Sequence, residues 1–209
     1  IQLLHSSLTD ENHKKITTTS AKLALVNVME SSKEFWNQKA QKFLASKIDR
    51  SQNKKKAKNI IFFLGDGMGL STVAASRMFL GKEEGEIAMD KFPFFGLVKT
   101  YCVDVQTADS ACTATAYLNG VKANKATIGV NGKVKLGDCK IDEENFTESI
   151  AKWAEKAGKG AGIVTTTRIT HASPSGAFAH TSHRDWENDT IIAEECIGKD
   201  TNVKDIAYQ

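Results

Sequence analysis

Three stretches of the chain carry the apolar pattern of strands. Residues 60–64 form an unbroken apolar run that ends just before Asp66. Such runs are typical of strands that are buried on both faces of a parallel sheet. Residues 92–101 and 160–167 are also β-rich, and Pro93 places the start of the first of these in a turn or at a sheet edge. We therefore predict a strand at each stretch.

Other stretches carry helical spacing. In residues 21–46 the apolar side chains recur at the spacing of one or two amphipathic helices, in which Met29 and Trp36 are expected to be packing groups. We also predict helices at residues 71–80, from Ser110 onward, and at residues 146–156. In the last of these helices the expected inward positions are Ile150, Trp153 and Ala154, and Gly158 is the expected stop.

Two shorter patterns complete the prediction. Asn131 and Gly132 lie between the alternating apolar residues of the stretch 127–134, which is a good signal for a two-residue β-hairpin. Residues 203–209 have the pattern of the middle of a helix. Both are tested directly by the backbone hydrogen bonds of the structure.

Strands and helices that alternate along a chain favour an α/β fold. We predict a largely parallel central sheet flanked by helices. The expected organisation is a mobile segment at residues 1–20, a helical arm and linker at 21–58, and a domain that occupies residues 59–209.

Composition and charge narrow the function. The chain has 209 residues and a formal net charge of +3, too small to argue for nucleic acid, and the basic run at 54–58 is expected to be a solvated linker. No stretch reaches the roughly 18 apolar residues that a membrane span requires. The four cysteines allow three pairings and include no Cys-x-x-Cys pair, which argues against a zinc knuckle. The sequons at Asn145 and Asn188 fit an exported glycoprotein.

The candidate chemistry is centred on residues 107–120. Asp109 and Ser110 open a run of small residues of helical length, where the unpaired N–H groups of a helix N-terminus can hold a phosphate. Taken alone, a simple helix cap is the commoner interpretation of both residues. Asp66, at the end of a predicted buried strand, favours one shared site because ligands of open α/β sheets gather at that edge.

A serine hydroxyl must be activated before it can act as a nucleophile at neutral pH. The residues around Ser110 lack the Gly-x-Ser-x-Gly elbow of α/β-hydrolases, so activation by a metal is the better candidate. The hard oxygen donors of Asp66 suit magnesium and can bridge to zinc, and a bound cation favours the alkoxide form of a hydroxyl.

Four segments together resemble the alkaline phosphatase family, in the order and at the spacings of that family. They are Phe63-Leu-Gly-Asp-Gly-Met-Gly, Asp109-Ser-Ala-Cys-Thr-Ala-Thr-Ala-Tyr, Val164-Thr-Thr-Thr-Arg-Ile-Thr-His-Ala-Ser-Pro and Ala179-His-Thr-Ser-His-Arg-Asp-Trp. A looser likeness runs from Glu34 to the end. The animal secreted or cell-surface branch is the most similar, with Cys102 and Cys112 as insect-like features.

The resemblance implies a role for each motif residue. Ser110 matches the nucleophile that becomes phosphoserine, and Asp66 matches the carboxylate that bridges a zinc and the magnesium. Ser173 matches a hydroxyl ligand of the magnesium, with His171 as a neighbouring group behind it. Without the resemblance, Ser173 reads as a turn residue before a proline and His171 as an ordinary loop histidine.

The resemblance also assigns the phosphate clamp. Arg184 matches the family's phosphate-binding arginine, since a planar guanidinium can grip two phosphate oxygens at once. Asp109 is expected to hold that arginine through a salt bridge. His180 and His183 are expected to be structural or surface groups rather than metal ligands.

The implied activity is hydrolysis of phosphomonoesters of broad range at alkaline pH, with two Zn²⁺ and one Mg²⁺. The resemblance further implies a homodimer through the amino-terminal arm and an extracellular or cell-surface location, with a possible GPI anchor in the full-length product. It implies the disulfide Cys139–Cys196, with Cys102 and Cys112 as the second pair.

The resemblance implies that the chain is an amino-terminal fragment, because family members are more than twice as long. It also implies that the central sheet is incomplete in this chain and that residues 59–209 are the N-terminal part of the catalytic domain, truncated at its C-terminus. The residues that complete both zinc sites, and the remaining magnesium carboxylate, lie in the family in the part that is absent here. Asp66, Ser110 and Ser173 are too few donors for a tetrahedral zinc and an octahedral magnesium. The hypothesis is therefore that the full-length product is a phosphatase, whereas this chain alone is inactive and marginally folded.

Two alternatives stay open at this point. One is another hydrolase of the wider superfamily, a sulfatase or a phosphodiesterase, although the residues after Ser110 do not supply the Cys/Ser-x-Pro-x-Arg context of sulfatases. The other is a truncated, non-catalytic surface protein that binds partners or contributes only to a dimer. The presence of Asp66, Ser110 and Arg184 together speaks against the second alternative, and the truncation speaks for it.

Overall fold

The computed structural model describes residues 29–48, 54–81 and 85–209. The chain divides into two compact units, Ile1–Ile61 and Phe62–Gln209. None of the described helices is long and apolar enough to cross a membrane. The predicted mobile segment at residues 1–20 lies outside the described residues, as does the start of the predicted arm.

The described part of the first unit contains helix α1, Lys33–Ile48. The Ser32 hydroxyl accepts a hydrogen bond from the Phe35 N–H at 3.4 Å, which caps the first turn. The helix prediction is thus confirmed in its second half, but its apolar side chains do not form a core. Trp36 is 46% exposed, and among the described residues its ring lies edge-on against the neighbouring Phe35 at 5.2 Å.

The second unit begins with the helix predicted after residues 60–64. Helix α2 spans Leu70–Gly81, close to the predicted bounds, and has no buried residue. A short 3₁₀ helix follows at Ala88–Lys91. The two are joined by Arg77, whose guanidinium bonds both carboxylate oxygens of Asp90.

The core of the second unit forms around helix α3, Ser110–Asn119, and the short helix α5, Ala172–Ser175. Ala111 of α3 and Ala172 of α5 are buried in one cluster with Ile128, Ala179 and Ile206. The two helices approach so closely that a Cβ at Gly176 would lie 2.6 Å from the Ala114 Cβ. The small residues of α3 therefore serve helix packing here.

The remaining helices lie later in the chain. They are the 3₁₀ helix Glu143–Asn145, α4 at Ile150–Lys156 and α6 at Asp189–Glu195. Each α-helix begins at a polar cap, because the Ser149 and Asn188 side chains accept the N–H of Lys152 and Ile191. The prediction of a helix over 146–156 was too long, because residues before the Ser149 cap bond elsewhere. Gly158 stops α4 with a positive φ of 70°, as predicted.

The inward face predicted for α4 is wrong in two of three positions. Trp153 and Ile150 are exposed at 50% and 39%, whereas Ala151 and Ala154 are half-buried. The residues of this helix that meet the rest of the described chain are therefore the small ones, and its large apolar side chains point outward.

The predicted parallel sheet is not formed by the described residues. Residues 60–64, 92–101 and 160–167 form no strand in the described structure, and Phe63 is 85% exposed. The burial expected for residues 60–64 is therefore wrong for this chain. The physical reason is that a strand needs a neighbour for its N–H and C=O groups, and the described residues form only isolated antiparallel bridges, Ile128 with Thr181 and Val130 with Phe146.

The same bridges correct two local predictions. Asn131 and Gly132 do form a turn, closed by the Val134 N–H on the Asn131 carbonyl at 3.2 Å. Its flanks pair with Thr181 and Phe146 rather than with each other, so no hairpin forms. Residues 203–209 are a hydrogen-bonded turn around the buried Ile206 rather than part of a helix.

Both disulfides implied by the resemblance are present. Cys139 pairs with Cys196 and Cys102 with Cys112, at Cα–Cα distances of 5.8 and 5.9 Å. The first joins α6 to the loop before Ile141 and packs on the fully buried Trp186. The second joins the first turn of α3 to the segment before Val103.

Removal of the Cys139–Cys196 disulfide is expected to cost the whole protein about 4 kcal/mol of unfolding free energy, because it closes the longer loop. The loop spans 57 residues, against 10 for Cys102–Cys112, whose loss should cost about 3 kcal/mol. Denaturant unfolding of the two double alanine variants under non-reducing conditions measures both. A smaller loss for the 139/196 variant than for the 102/112 variant would contradict the chain-entropy argument.

Candidate active site

The amino terminus of α3 carries the first group of site residues. Asp109 is the N-cap and its Oδ1 accepts the Cys112 N–H at 3.2 Å, so the capping interpretation is correct. The same oxygen accepts the Ala126 N–H at 3.1 Å, while Oδ2 accepts from Arg184 Nη1 at 3.0 Å. Asp109 is therefore both the helix cap and the partner of the arginine, and the two interpretations coexist.

Arg184 is held against the serine at this helix terminus. Its Nη1 donates to Ser110 Oγ at 2.9 Å as well as to Asp109. Its backbone N–H donates to the Ala126 carbonyl at 2.8 Å, and Ala126 in turn donates to Asp109. Its side chain is 25% exposed and that of Asp109 13%. The pair is thus sheltered but open enough to meet a ligand.

The charge state of Asp109 follows from these contacts. Burial of the carboxyl opposes ionisation, but the Ala126 and Cys112 N–H groups and the Arg184 guanidinium outweigh it and lower the pKa below its ordinary value. A carboxylate that accepts several hydrogen bonds is stabilised in its charged form. Asp109 is therefore an anion at neutral and alkaline pH, and it fixes the arginine beside Ser110.

A second group joins two residues that are far apart in the chain. Asp66 lies in a turn after residues 60–64, and Ser173 is buried in α5. The Ser173 hydroxyl donates to Asp66 Oδ2 at 2.6 Å across a separation of 107 residues. The structure therefore brings together the carboxylate and the hydroxyl that the sequence proposed as magnesium ligands.

His171 lies between the two groups. It is the N-cap of α5, where its Nδ1 faces the Ser173 N–H at 3.4 Å, and its Nε2 faces Arg184 Nη2, also at 3.4 Å. A neutral imidazole has one acceptor nitrogen, so only one of these long contacts is a hydrogen bond at a time. The ring therefore links the arginine clamp to the turn that carries Ser173.

The other two histidines are separate from this arrangement. His180 stacks on Phe146 at 4.5 Å and its Nδ1 lies 2.7 Å from the Gly129 carbonyl. His183 Nδ1 accepts the Asp185 N–H at 3.1 Å. Their contacts are thus with an aromatic ring and with backbone groups.

The two sequons differ in their environments. Asn145 is buried, and its Oδ1 accepts from Asn131 Nδ2 at 3.0 Å. Asn188 is exposed and caps α6 through its Oδ1. Asn188 is the better placed of the two for a glycan.

Sequence reasoning missed a tyrosine and an ion pair beside the site. Tyr117 lies in α3 two turns after Ser110, and burial raises the pKa of its phenol to about 12, against an opposing effect of Ser173 and with a further increase from Asp66. Its spacing of seven residues from Ser110, which places both on one helix face, was the available signal. The ion pair, between Arg168 and Glu187, has no sequence signal because its partners are distant along the chain.

Arg168 and Glu187 fix the loop that leads to His171. The guanidinium donates to both Glu187 oxygens, at 2.9 and 2.7 Å, and the Thr170 hydroxyl bonds the same carboxylate. The His171 N–H donates to the Arg168 carbonyl at 3.0 Å. Arg168, opposed by burial and assisted by Thr170, lowers the pKa of Glu187 from 4.5 to about 2.

Glu187→Gln is expected to weaken the fall in the free energy of unfolding that occurs at acid pH. A carboxyl whose folded pKa is depressed adds stability that is fully present above its unfolded pKa of 4.5 and is lost as the pH falls toward about 2. Thermal midpoints of the whole protein across that window should fall less steeply in the variant. The exposed Glu194→Gln is the matched control, and equal slopes for both variants and the wild type would refute the prediction.

The metal-binding side chains among the described residues fit part of a magnesium site and do not fit a zinc site. Mg²⁺ binds through one or two carboxylates and retains several waters, so the Asp66–Ser173 oxygen pair is a suitable part of such a site. Zinc requires a tetrahedral set of nitrogen, sulfur or carboxylate ligands. Among the described residues the only cluster of this type is Cys102, Asp109 and Cys112, and its sulfurs are joined in a disulfide.

An arginine that bonds a serine hydroxyl at a helix N-terminus, beside a pair of hard oxygen donors, is an arrangement typical of phosphoryl-transfer enzymes. Comparison with known proteins gives the family. Residues 57–209 match the family model of alkaline phosphatase, and the chain belongs to the alkaline phosphatase family.

Similar proteins agree with this assignment. The chain is 46% identical to the human tissue-nonspecific isozyme of alkaline phosphatase over 193 residues, which cover 89% of this chain and 36% of the relative. It is 44% identical to the membrane-bound alkaline phosphatase of Bombyx mori, over 94% of this chain and 38% of the relative. The solved alkaline phosphatase of the Antarctic bacterium TAB5 aligns with a TM-score of 0.50 at 28% identity, over 68% of this chain and 42% of that chain. The chain thus spans little more than a third of the length of the curated relatives it matches.

Proposed function

We propose that the whole protein hydrolyses phosphomonoesters at alkaline pH through a phosphoserine formed on Ser110. The observation that carries the proposal is the Arg184 guanidinium, which bonds Ser110 Oγ at 2.9 Å while Asp109 holds it in place. Family membership over residues 57–209 supports the same reaction.

Each residue of the clamp has a defined task in this mechanism. Ser110 Oγ attacks phosphorus, the bond from phosphorus to the ester oxygen breaks, and the alcohol leaves. Water then cleaves the phosphoserine and releases phosphate. Arg184 carries charge on the non-reacting phosphate oxygens, and because it is already oriented by Asp109 it requires little reorganisation during the reaction.

We further propose that the whole protein uses two Zn²⁺ and one Mg²⁺. When bound, the metals favour the alkoxide of the serine and stabilise the charge of the leaving oxygen. Asp66 and Ser173 would hold the magnesium, with His171 behind them, and Asp66 would also face a zinc. Because the described residues offer no zinc set, we assign the remaining ligands to parts of the whole protein beyond these 209 residues.

Location and assembly follow as proposals from the same family. Two disulfides fit an oxidising compartment, and the similar Bombyx mori protein is described as membrane-bound. We propose an extracellular or cell-surface phosphatase, glycosylated at Asn188, homodimeric through its amino-terminal arm and GPI-anchored. By itself the 209-residue chain is expected to be inactive and marginally folded, because its apolar residues 60–64 are exposed.

A comparison of three substrates tests the proposed function. The whole protein and the 209-residue chain are each given an aryl phosphate, an aryl sulfate and a bis-aryl phosphodiester, with zinc and magnesium at alkaline pH. The expected result is that only the whole protein hydrolyses the esters and that it hydrolyses the monoester fastest. Faster sulfate or diester hydrolysis would indicate another hydrolase of the superfamily. No turnover of any ester would indicate a non-catalytic surface protein.

A further inference from the structure

Tyr117 carries a buried hydroxyl that the mechanism does not use. Its oxygen is shielded from solvent and has no hydrogen-bond partner of normal geometry among the described residues. The phenol ring packs on Phe62 with ring centroids 5.5 Å apart. Packing on Phe62 needs only the ring, and a phenylalanine would supply it without the free-energy cost of an unsatisfied buried hydroxyl. The hydroxyl itself therefore calls for a partner.

The neighbours of this hydroxyl identify the partner. Ser173 lies in α5 and bonds Asp66 at 2.6 Å, and these two residues are also the groups that, besides burial, influence the pKa of the Tyr117 phenol. Helix α3 presents Ser110 and Tyr117 on one face, seven residues apart. Because Ala114, between them, contacts Gly176 just after α5, this face lies against the helix that carries Ser173.

The Ser173 hydroxyl cannot keep its present hydrogen bond when both oxygens bind a cation. Its hydrogen now points to Asp66 Oδ2. A hydroxyl that gives a lone pair to a metal must direct its hydrogen away from that metal, and an Asp66 oxygen bound to the same ion is a poor acceptor for it. A second acceptor beside Ser173 would allow the oxygen to rotate into the ligating position.

We propose that Tyr117 is a positioning residue for the magnesium donor pair, and that its hydroxyl accepts the hydrogen of Ser173 when Ser173 and Asp66 bind Mg²⁺. The inference rests on the proposed magnesium site. It gives an acceptor role to a buried oxygen that has no hydrogen-bond partner among the described residues. Loss of such an outer partner typically lowers metal affinity by about 10- to 100-fold.

The test measures Mg²⁺ binding and stability rather than turnover. The whole protein is stripped of metal, and Mg²⁺ alone is titrated by calorimetry into the wild type, Tyr117→Phe and the control Tyr208→Phe. Tyr208 is a suitable control because it is exposed and lies outside the site. Thermal midpoints are recorded for each protein without metal and with saturating Mg²⁺.

The expected results concern the Kd for Mg²⁺ and the thermal midpoints measured without and with the metal. Tyr117→Phe should raise the Kd for Mg²⁺ about tenfold, whereas Tyr208→Phe should leave it unchanged. Without metal, Tyr117→Phe should melt at the wild-type temperature or above it, because an unsatisfied hydroxyl is removed. With Mg²⁺ its gain in midpoint should be smaller than that of the wild type.

Three outcomes would overturn the inference. Equal Kd values for wild type and Tyr117→Phe would leave the magnesium site standing and remove the role of Tyr117. A lower midpoint of equal size with and without metal would make the hydroxyl a purely structural group. No Mg²⁺ binding by the wild type would overturn the proposed magnesium site and this inference together.

Discussion

Ser110→Ala in the whole protein is expected to lower kcat for an aryl phosphate by about 10⁴-fold or more, as loss of a nucleophile does in other enzymes with covalent intermediates. The physical reason is that the variant has no oxygen to attack phosphorus where Arg184 now bonds Ser110 Oγ. The fold should persist, because the cap of α3 is the Asp109 side chain rather than the serine.

Thr113→Val is the matched control for this prediction. Thr113 lies in the same helical turn and its hydroxyl donates to the Asp109 carbonyl at 2.8 Å, so the control also removes one hydroxyl near the site. It should keep kcat within a few-fold of the wild type. Steady-state kinetics for both variants, with circular dichroism to compare folding, distinguish a lost nucleophile from a damaged helix. Wild-type kcat in Ser110→Ala would remove the serine from the mechanism.

Arg184→Lys is expected to lower kcat/KM by about 10²- to 10³-fold, the usual effect of losing one preorganised charge-stabilising donor. Lysine keeps the positive charge but loses the planar fork that can grip two phosphate oxygens. It also cannot reproduce the contacts of one guanidinium with Asp109 and Ser110 at 3.0 and 2.9 Å. Inhibition by inorganic phosphate should weaken in parallel, because the product shares the clamp.

Arg168→Lys supplies the comparison for the arginine. Arg168 also forms a two-pronged pair, but its side chain is 67% exposed and bonds Glu187 rather than Ser110. Its replacement should change kcat/KM by only a few-fold. Equal losses in both variants would show that the clamp geometry of Arg184 has no special role.

The helical part of the fold could be predicted from local signals. Helix α3 was placed correctly because Asp109 is a strong cap and a glycine follows its last turn at φ 73°, and α2 followed from its apolar spacing. The length of α4 was wrong because Phe146 pairs with Val130, a contact 16 positions away in sequence that overrides local helical spacing.

The parallel sheet that the sequence predicts does not form among the described residues of this chain. The apolar pattern of residues 60–64 is typical of a strand, but a strand forms only where another strand is available to pair with it. Residues 92–101 and 160–167 do not pair with it among the described residues. A local apolar pattern therefore predicts that a segment can form a strand and does not supply its neighbours.

Some residues of the candidate site could be predicted from sequence motifs, and others could not. Asp109, Ser110 and Arg184 were chosen from the sequence, and the structure brings them into contact. Asp66 and Ser173 meet as well. Tyr117 was missed because a tyrosine on a helix usually reads as a packing group, and only its buried, unpartnered oxygen marks it.

The most direct test of the phosphoserine mechanism is to trap the intermediate. The whole protein is mixed with an aryl phosphate or inorganic phosphate, quenched in acid, digested and analysed by mass spectrometry. The account predicts one phosphoryl group on the peptide that contains Ser110, and none in Arg184→Ala at the same phosphate concentration. Turnover of the ester with an unmodified Ser110 peptide, or with the phosphoryl group on another residue, would contradict it.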